Sequence, residues 1–396
     1  MKILTINSGS TSIKFKLFDM PGTKVLAFGK IDNIGGKVSQ LNYQKGDYID
    51  KEGDLTVPDH KMGLELILNK LTDSSTGVIS DIKEIQAVGH RVVNIGDKAK
   101  TSLKIDKEVI KSLEQALDLA PLHNPPNLTG IKVCQKILGT KTPNIAVFDN
   151  LFHKDMPEKA YLYGIPFDIY ETYKVRKYGF HGIAYSYMIK RLGELFGKEV
   201  ADKKIIALML GGGSSITAIH KGKTKDTSMG FTPAEGLIMS TRSGDLDPAI
   251  IPFLMKKRKL DVEGIDKLIN KESGLLGLSK KFGNFKDIED GLVADDEDCK
   301  RAFLSYCYRI KKYIGSYAAA LNGIDVIVFG GGIGENSYLA REEILMDLDV
   351  LGIKLDKNKN KKGHGLISES NSKVLVCVVD VDEELILAEE TYELSV

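Results

Sequence analysis

Residues Ile3 to Phe18, ILTINSGSTSIKFKLF, decide the fold prediction. Apolar and polar residues alternate on either side of a Gly/Ser turn, which predicts two antiparallel strands. Residues Ile205 to Ile219, IIALMLGGGSSITAI, repeat this plan with a strand, a Gly-rich turn and a second strand. A chance match of short Gly/Ser turns is the alternative. Because each copy stands near the start of one half of the chain, the repeat suggests an internal duplication.

Strands alternate with helical patterns along the rest of the chain. Two further apolar strands are predicted, at Asp325 to Phe329 and Val374 to Val379. Helices are predicted over Val109 to Ala120, from Pro125, over Ala184 to Phe196, over Phe303 to Leu321, and from Glu383 with Asp382 as the cap. The Lys-rich stretch Asp356 to Lys362 is interpreted as a solvated surface turn. This order of elements predicts an α/β protein.

Length and charge limit the classes of function. A chain of 396 residues is too long for one ordinary core and predicts two domains. A formal net charge of +1 creates no large field, so neither nucleic acid nor a membrane is expected as a partner. The N-terminus lacks the features of a signal peptide, and no window approaches the roughly 18 to 20 apolar residues that span a bilayer. We expect a cytoplasmic location.

Cysteine spacing argues against a metal centre. Cys134, Cys299, Cys307 and Cys377 form no CxxC pair and have no histidines at zinc spacing. Reduced and mostly buried thiols are expected instead.

The first hairpin is a candidate phosphate-binding turn. Asn7, Ser12 and Lys14 cluster there, so that amides and hydroxyls can face a phosphate while the lysine supplies charge. An ordinary polar hairpin with Lys14 in solvent is the alternative.

Two arginines are candidates for binding a transferring phosphoryl group. Arg91 stands within an apolar strand, where an arginine is seldom buried without a partner, so its head is expected to reach an anion. Arg242 lies in a polar turn and can clamp a phosphoryl group. Surface ion pairing is the alternative for each.

Two histidines and one aspartate complete the candidate chemistry. His181 precedes a helix and can donate a hydrogen bond to a phosphoryl oxygen, and His123 could do the same. Asp149 ends a buried strand, where α/β proteins bind ligands, and could orient a substrate, an arginine or a metal-bound water. Structural roles are the alternative for the histidines.

The last helix offers a candidate metal site. Glu383 and Glu384 at its start can hold Mg²⁺ through carboxylate oxygens or water. The helix dipole alone also favours acids at this position.

Gly330 to Ser337, GGGIGENS, follows an apolar strand. Glycines there let the backbone approach a ligand closely, commonly a nucleotide. The run lacks the GKS or GKT ending of a Walker loop and a dinucleotide fingerprint. Taken with the cations, it supports a small-molecule kinase, in which the protein mainly positions reactants and neutralises charge.

The chain resembles the acetokinase family of the actin, sugar-kinase and Hsp70 superfamily. The resemblance covers essentially the whole chain through ordered motifs: NSGSTSIKFKLFD (Asn7 to Asp19), GHRVV (Gly89 to Val93), PLHNPPN (Pro121 to Asn127), VFDNLFH (Val147 to His153), YGFHG (Tyr178 to Gly182), DTSMGFTPAEGL (Asp226 to Leu237), TRSGDLDP (Thr241 to Pro248), GGIGENS (Gly331 to Ser337) and DEE (Asp382 to Glu384).

The resemblance implies a two-domain actin-like (ribonuclease H-like) duplicated α/β fold with an interdomain cleft. It implies an N-terminal domain at 1–150, completed by a C-terminal helix at about 383–396, and a nucleotide-binding and dimerisation domain at 151–382. It also implies reversible in-line transfer of the ATP γ-phosphoryl group to acetate, giving acetyl phosphate and ADP. Mg²⁺, with Mn²⁺ as a substitute, and a homodimer are implied as well.

The resemblance assigns roles position by position. The implied catalytic residues are Arg91, His123, Asp149, His181 and Arg242. The implied acceptor-binding residues are Arg91, Val93, Leu122, Phe180 and Pro233. The implied phosphate- and nucleotide-binding residues are Ser12, Lys14, Gly211, Gly212, Gly213, Asn284, Lys286, Gly331, Gly332, Ile333 and Asn336. Asn7 and one of Glu383 and Glu384 are implied for the metal.

The chain departs from the family motifs mainly on the donor side. Met209 to Gly213 reads MLGGG where the family usually has HLGNG, and Ala184-Tyr185 replaces a Ser-His pair. The family's SSDxRD motif appears as Phe282 to Asp287, FGNFKD, so an acid becomes Asn284 and an arginine becomes Lys286. The acceptor is therefore better supported than the donor.

Alternatives to an acetate-phosphorylating enzyme remain open at this point. One is a propionate or butyrate kinase, because one methylene changes a small apolar pocket by only about 1 to 3 kcal/mol. Another is an enzyme with a different donor, such as another nucleoside triphosphate or pyrophosphate. A third is a nucleotide-binding regulatory protein with weak catalysis.

Overall fold

The computed structural model describes residues 1–120 and 123–396. They form two compact units: unit 1 comprises Met1–Leu151 and Asp382–Val396, and unit 2 comprises Phe152–Val381. Leu122, one of the predicted acceptor-binding residues, lies outside the described residues.

Unit 1 is built on one mixed sheet. Its strands are β1 (Lys2–Ser8), β2 (Ser12–Asp19), β3 (Lys24–Asp32), β4 (Ser39–Lys45), β5 (Tyr48–Leu55), β6 (Ala87–Val92), β7 (Leu103–Lys104) and β8 (Asn144–Phe148). Its first helices are α1 (His60–Thr72), α2 (Lys107–Gln115) and α3 (Asn124–Leu138). The spatial order of the strands is β5-β4-β3-β2-β1-β6-β8-β7.

Unit 2 contains a second mixed sheet and most of the helices. Its strands are β9 (Lys204–Leu210), β10 (Ser214–His220), β11 (Lys223–Thr227), β12 (Val326–Gly330), β13 (Gly365–Leu366) and β14 (Leu375–Val378), in the spatial order β11-β10-β9-β12-β14-β13. Its helices are α4 (Glu158–Tyr161), α5 (Phe167–Tyr173), α6 (Gly182–Phe196), α7 (Ile250–Arg258), α8 (Val262–Lys271), α9 (Gly274–Ser279), α10 (Phe285–Val293), α11 (Glu297–Leu321), α12 (Gly331–Asn336), α13 (Tyr338–Leu345) and α14 (Lys357–Lys362). The last helix, α15 (Glu383–Glu393), returns to unit 1.

The two sheets share one strand plan. In unit 1, β3-β2-β1 pair antiparallel and β1-β6-β8 pair parallel. In unit 2, β11-β10-β9 pair antiparallel and β9-β12-β14 pair parallel. The predicted hairpins are therefore confirmed as β1-β2 and β9-β10, and the predicted duplicated α/β fold is confirmed.

Helix α11 packs within the unit 2 core and confirms the helix predicted over Phe303 to Leu321, although it begins earlier, at Glu297. Asp296 caps its start by accepting from the Asp298 and Cys299 amides. The side chains of Phe303, Tyr306, Ile310, Ile314 and Leu321 are buried along one face. The cysteines are free and buried, as expected.

The structure corrects two local predictions. Helix α2 ends at Gln115, and a separate 3-10 turn at Leu117–Leu119 follows, so Val109 to Ala120 is not one helix. The Lys-rich stretch forms α14 rather than a turn, because Asp356 accepts hydrogen bonds from the amides of Asn358 and Lys359 and caps the helix. Further 3-10 turns lie at Ile82–Glu84, Leu151–His153, Lys198–Asp202 and Asp349–Leu351.

Helix α15 packs directly against the unit 1 sheet. A Cβ atom on Gly89, in β6, would lie 2.3 Å from Thr391 Oγ1 and 3.1 Å from Leu387 O, so this approach requires glycine. Asp382 caps α15 by accepting from the Leu385 amide at 3.2 Å, as predicted, and also pairs with Lys16 at 2.8 Å. The start of α15 is thereby held against the sheet.

Within the described part of the chain, no helix combines the length and apolar character needed to cross a membrane.

Candidate active site

Three predicted site residues meet at one edge of the unit 1 sheet. Asn7 lies near the end of β1, Arg91 near the end of β6, and Asp149 directly after β8. Ile6 is paired with His90 and Arg91 with Val147 in parallel register, so the carboxyl ends of these strands coincide. Side chains two residues apart on a strand share a face, which brings Asp149 to the side of Arg91.

The Arg91 guanidinium is held by two of these neighbours. Its Nη2 donates to Asp149 Oδ2 at 2.5 Å and its Nη1 to Asn7 Oδ1 at 3.4 Å. The Asp149 side chain is 1 % exposed and that of Arg91 18 %. Burial alone would lower the pKa of Arg91, but the negative charges of Asp149 and Glu383 raise it above its ordinary value. Arg91 is therefore a permanent cation whose direction is set by Asp149.

The predicted metal residues Glu383 and Glu384 begin α15 close to this pair. Burial raises the pKa of Glu383; the charge of Arg91 acts in the opposite direction, and the charges of Asp149 and Glu384 raise the pKa further. Among residues 1–120 and 123–396, no group of three or more His, Cys, Asp or Glu side chains is arranged to hold a metal ion by itself. The oxygen donors of Asn7, Glu383 and Glu384 nevertheless suit Mg²⁺, which uses one or two carboxylates together with water and substrate phosphates.

Side chains from α1 and α3 contact the turn between β1 and β2. The Asn127 side-chain amide donates to Ser8 O at 2.7 Å, and His60 Nε2 contacts Gly9 O at 2.7 Å. Ser12 begins β2, and Lys14 is exposed and lies opposite Asn7 in the antiparallel register. The exposed lysine fits both a phosphate-binding role and the alternative of a polar hairpin.

Two further candidate residues of unit 1, Val93 and His123, are associated with α3. Val93 follows β6 and is buried, and its amide donates to Asn127 Oδ1 at 3.2 Å. His123 is the cap residue of α3, without a side-chain capping hydrogen bond.

In unit 2, His181 is placed by the start of α6. It adopts a left-handed backbone conformation, with φ 59°, immediately before the first helical residue. Its Nδ1 lies 2.9 Å from Ser215 Oγ, in β10. The Cε1–Nε2 side of the ring lies near Gly213, since a Cβ atom on that glycine would lie 3.6 Å from each of these two atoms.

Arg242 reaches the same place as His181. Its Nη1 would lie 3.5 Å from the same Cβ position on Gly213. The described residues provide no carboxylate partner for Arg242, and its Nη1 contacts only Met239 Sδ, at 3.8 Å. Burial lowers the pKa of Arg242. A half-buried cation without an anion beside an imidazole is suited to binding a transferring phosphoryl group.

Phe180 and Pro233 also lie in unit 2. Phe180 is buried directly before His181, and its carbonyl accepts from His153 Nε2 at 3.0 Å. Pro233 is partly exposed in the segment between β11 and α7.

A cavity of about 900 Å³ in unit 2 collects most of the predicted nucleotide-binding residues. Those that line it are Gly211, Gly212, Asn284, Lys286, Gly332, Ile333 and Asn336. Asn284 caps α10 by accepting from the Lys286 amide at 3.1 Å. The cavity lining does not include Gly213 or Gly331. At Gly331, φ is 76° and a Cβ atom would lie 2.7 Å from Leu210 O, which explains that glycine without a ligand.

Sequence reasoning assigned no binding role to several residues that line the cavity. Ser240, Thr241, Gly283, Phe285, Glu289 and Ser337 also line the cavity. Ser240 and Thr241 immediately precede Arg242, and that adjacency was the available signal for them. Glu289 accepts a hydrogen bond from Ser337 Oγ at 2.5 Å, across a separation of 48 residues that no local pattern reveals.

Known proteins match the chain over its full length. The model of the acetokinase family matches residues 2–389. A curated acetate kinase from Thermotoga maritima is 50 % identical over 402 residues, covering all of this chain and 98 % of the relative. The crystal structure of acetate kinase from Porphyromonas gingivalis is 42 % identical with a TM-score of 0.93, and that of a propionate kinase from Francisella tularensis is 33 % identical with a TM-score of 0.93; each pairing covers 99 % of both chains.

The chain is a phosphotransferase with a carboxyl group as acceptor. It belongs to the acetokinase family, which confirms the resemblance found in the sequence.

Proposed function

We propose that the chain catalyses reversible transfer of the γ-phosphoryl group of ATP to acetate, giving acetyl phosphate and ADP. The observation that carries this proposal is Arg242, a half-buried cation that has no carboxylate partner among the described residues and lies with His181 beside Gly213. The nucleotide-sized cavity in the same unit supports ATP as the donor. The relatives named acetate kinase support acetate as the acceptor.

In the proposed reaction, a carboxylate oxygen of acetate forms a bond to the γ-phosphorus as the bond to the β,γ-bridging oxygen breaks. Arg91 binds the acetate carboxylate, and Asp149 sets the direction of the guanidinium. Arg242 and His181, assisted by His123, stabilise the charge on the transferring group. Val93, Phe180 and Pro233 provide the apolar surroundings of the acetate methyl group. No proton is transferred, because acetate is ionised at neutral pH.

We propose that Asn7 and one glutamate of the Glu383-Glu384 pair, Glu383, hold Mg²⁺, for which Mn²⁺ can substitute. Burial makes the charged form of Glu383 costly, and a bound cation would offset that cost. When bound, the ion neutralises phosphate charge. Ser12 and Lys14 are proposed to contact the phosphates.

The Glu383→Gln variant is expected to bind Mn²⁺ at least about tenfold more weakly than the wild type, because it removes one anionic ligand. Electron paramagnetic resonance of free Mn²⁺ during a titration measures this affinity without any turnover. Glu393→Gln is the matched control, since Glu393 is an exposed residue at the end of the same helix. Equal Mn²⁺ affinity in the wild type and Glu383→Gln would contradict the metal assignment.

We also propose a homodimer that works in the cytoplasm. Apolar side chains on α7 and α8 support a subunit interface in unit 2: Phe253 is 57 % exposed and Val262 71 %. A cytoplasmic location would give the enzyme access to ATP.

The purified protein is expected to form acetyl phosphate from acetate and ATP. Acyl phosphate trapped as hydroxamate measures the product, with acetate, propionate and butyrate each tested against ATP, GTP and pyrophosphate. Acetate with ATP is expected to give the highest kcat/KM, with propionate as the second acceptor.

The same assay separates the alternatives. Faster turnover with propionate than with acetate would make propionate the acceptor. Faster turnover with a donor other than ATP would make that compound the donor. If no combination of acceptor and donor gives product, the proposed activity is rejected, and the alternative of a regulatory nucleotide-binding protein takes its place.

A further inference from the structure

A hydrogen-bond chain lies behind the imidazole of His181. His181 Nδ1 is 2.9 Å from Ser215 Oγ, and the same Oγ contacts the hydroxyl of Tyr185. Ser215 lies in β10 and Tyr185 in the first turn of α6, and both side chains are fully buried. The three residues therefore form a relay that runs from the interior of unit 2 to the ring of a proposed catalytic residue.

The number of protons in this relay limits its arrangements. The Ser215 hydroxyl has one proton to donate and can also accept. If Tyr185 donates to Ser215, the Ser215 proton is available to His181 Nδ1. A neutral imidazole whose Nδ1 accepts must carry its proton on Nε2. That nitrogen and the Arg242 guanidinium both lie near the same Cβ position on Gly213.

The opposite arrangement would be unfavourable for phosphoryl transfer. If Nδ1 donated to Ser215, the neutral ring would present a lone pair at Nε2 and repel an anionic phosphoryl oxygen. The charged and titratable groups close to the relay include Arg242 from the segment after β11, His153 with its ring 5.8 Å from that of Tyr185, and Tyr317 from α11. Arg242, a cation, disfavours a second positive charge on the ring and so increases the need for a neutral donor.

We propose that Tyr185 and Ser215 are positioning residues that orient the His181 ring and keep its neutral form with the proton on Nε2. This inference rests on the proposed phosphoryl transfer and extends it to two residues that do not themselves contact substrate.

The test combines kinetics and spectroscopy on Tyr185→Phe. At pH 8 its kcat is expected to fall about fivefold to tenfold, while KM for acetate and ATP changes less than about twofold. At a pH below the pKa of His181, located by ¹⁵N titration, both ring nitrogens donate, and kcat is expected to lie within about twofold of the wild type. Ser215→Ala is expected to show the same pH-dependent loss.

Tyr306→Phe is the matched control. Tyr306 is a second fully buried tyrosine whose hydroxyl lies 3.0 Å from a serine of the same strand, Ser214, and its hydrogen bond does not lead to His181. Loss of its hydroxyl removes an equivalent buried hydrogen bond. We expect any change in kcat for this control to be the same at both pH values.

The tautomer itself can be read from ¹⁵N-labelled histidine. Two-bond ¹H–¹⁵N correlations, assigned with His181→Asn, are expected to show the Nε2-protonated form in the wild type and a mixture in Tyr185→Phe. A wild-type ring protonated on Nδ1, or an equal loss of kcat for Tyr185→Phe at both pH values, would overturn the relay. Because the spectra need no turnover, they test it even if acetate and ATP prove to be the wrong substrates.

Discussion

Replacing Arg242 with alanine is expected to lower kcat by about a thousandfold or more, the scale measured for arginines that clamp transferring phosphoryl groups. Arg242 has no carboxylate partner among the described residues, so its charge is available to a substrate rather than committed to the fold. Loss of charge stabilisation in the transition state should therefore appear in kcat. Steady-state kinetics with saturating acetate and ATP measures the effect.

The same variant is expected to fold at least as well as the wild type. Burial lowers the pKa of Arg242, which means that the protein pays a desolvation cost to keep this charge in place. Thermal unfolding of Arg242→Ala should show an unchanged or higher midpoint. Arg191→Ala is the control, because Arg191 forms an exposed surface pair with Glu194. A loss of kcat under tenfold, or a clear fall in the midpoint, would remove Arg242 from its assigned role.

Asp149→Asn is expected to damage both stability and activity. Removing one partner of a buried ion pair leaves the other charge uncompensated, and we expect a loss of about 3 kcal/mol in the free energy of unfolding. The Arg91 guanidinium would also lose its direction, so kcat/KM should fall at least about a hundredfold. Urea unfolding and steady-state kinetics measure the two effects.

A double-mutant cycle measures the interaction energy between Arg91 and Asp149 separately from their other contacts. Arg91→Leu, Asp149→Leu and the double variant are compared by urea unfolding at pH 7. The double variant should lose less stability than the sum of the two single losses, because Arg91 and Asp149 interact directly. Additive losses would show that Arg91 and Asp149 are not coupled and would contradict the positioning role of Asp149.

Much of the fold could be predicted from local sequence patterns. Alternation around the Gly/Ser and Gly-rich turns predicted both hairpins, because strand periodicity and turn chemistry act over a few residues. The spacing of apolar residues that predicted α11 and the capping residue Asp382 that predicted α15 were equally local signals. The capping aspartate of α14 was a signal of the same kind, and the high lysine content obscured it.

Contacts between distant residues could not be predicted in this way. The sequence placed Asp149 at a strand end, but only the parallel register of β6 and β8 makes it the partner of Arg91. Local patterns also could not predict the contact of Ser215 with His181, which lie on different elements. Nor could they predict the hydrogen bond between Glu289 and Ser337 in the cavity lining. Such pairs depend on sheet order and helix packing, which no short window contains.

The return of α15 to unit 1 has a consequence for biosynthesis. Ala388 of α15 packs with Ile3, Phe18 and Ala87, and Leu385 and Tyr392 pack against the same cluster. On the ribosome these early residues must wait until all of unit 2 has been translated before their covering helix exists. Unit 1 therefore begins to emerge before unit 2 but is completed after it, and the apolar residues that α15 covers stay exposed during elongation.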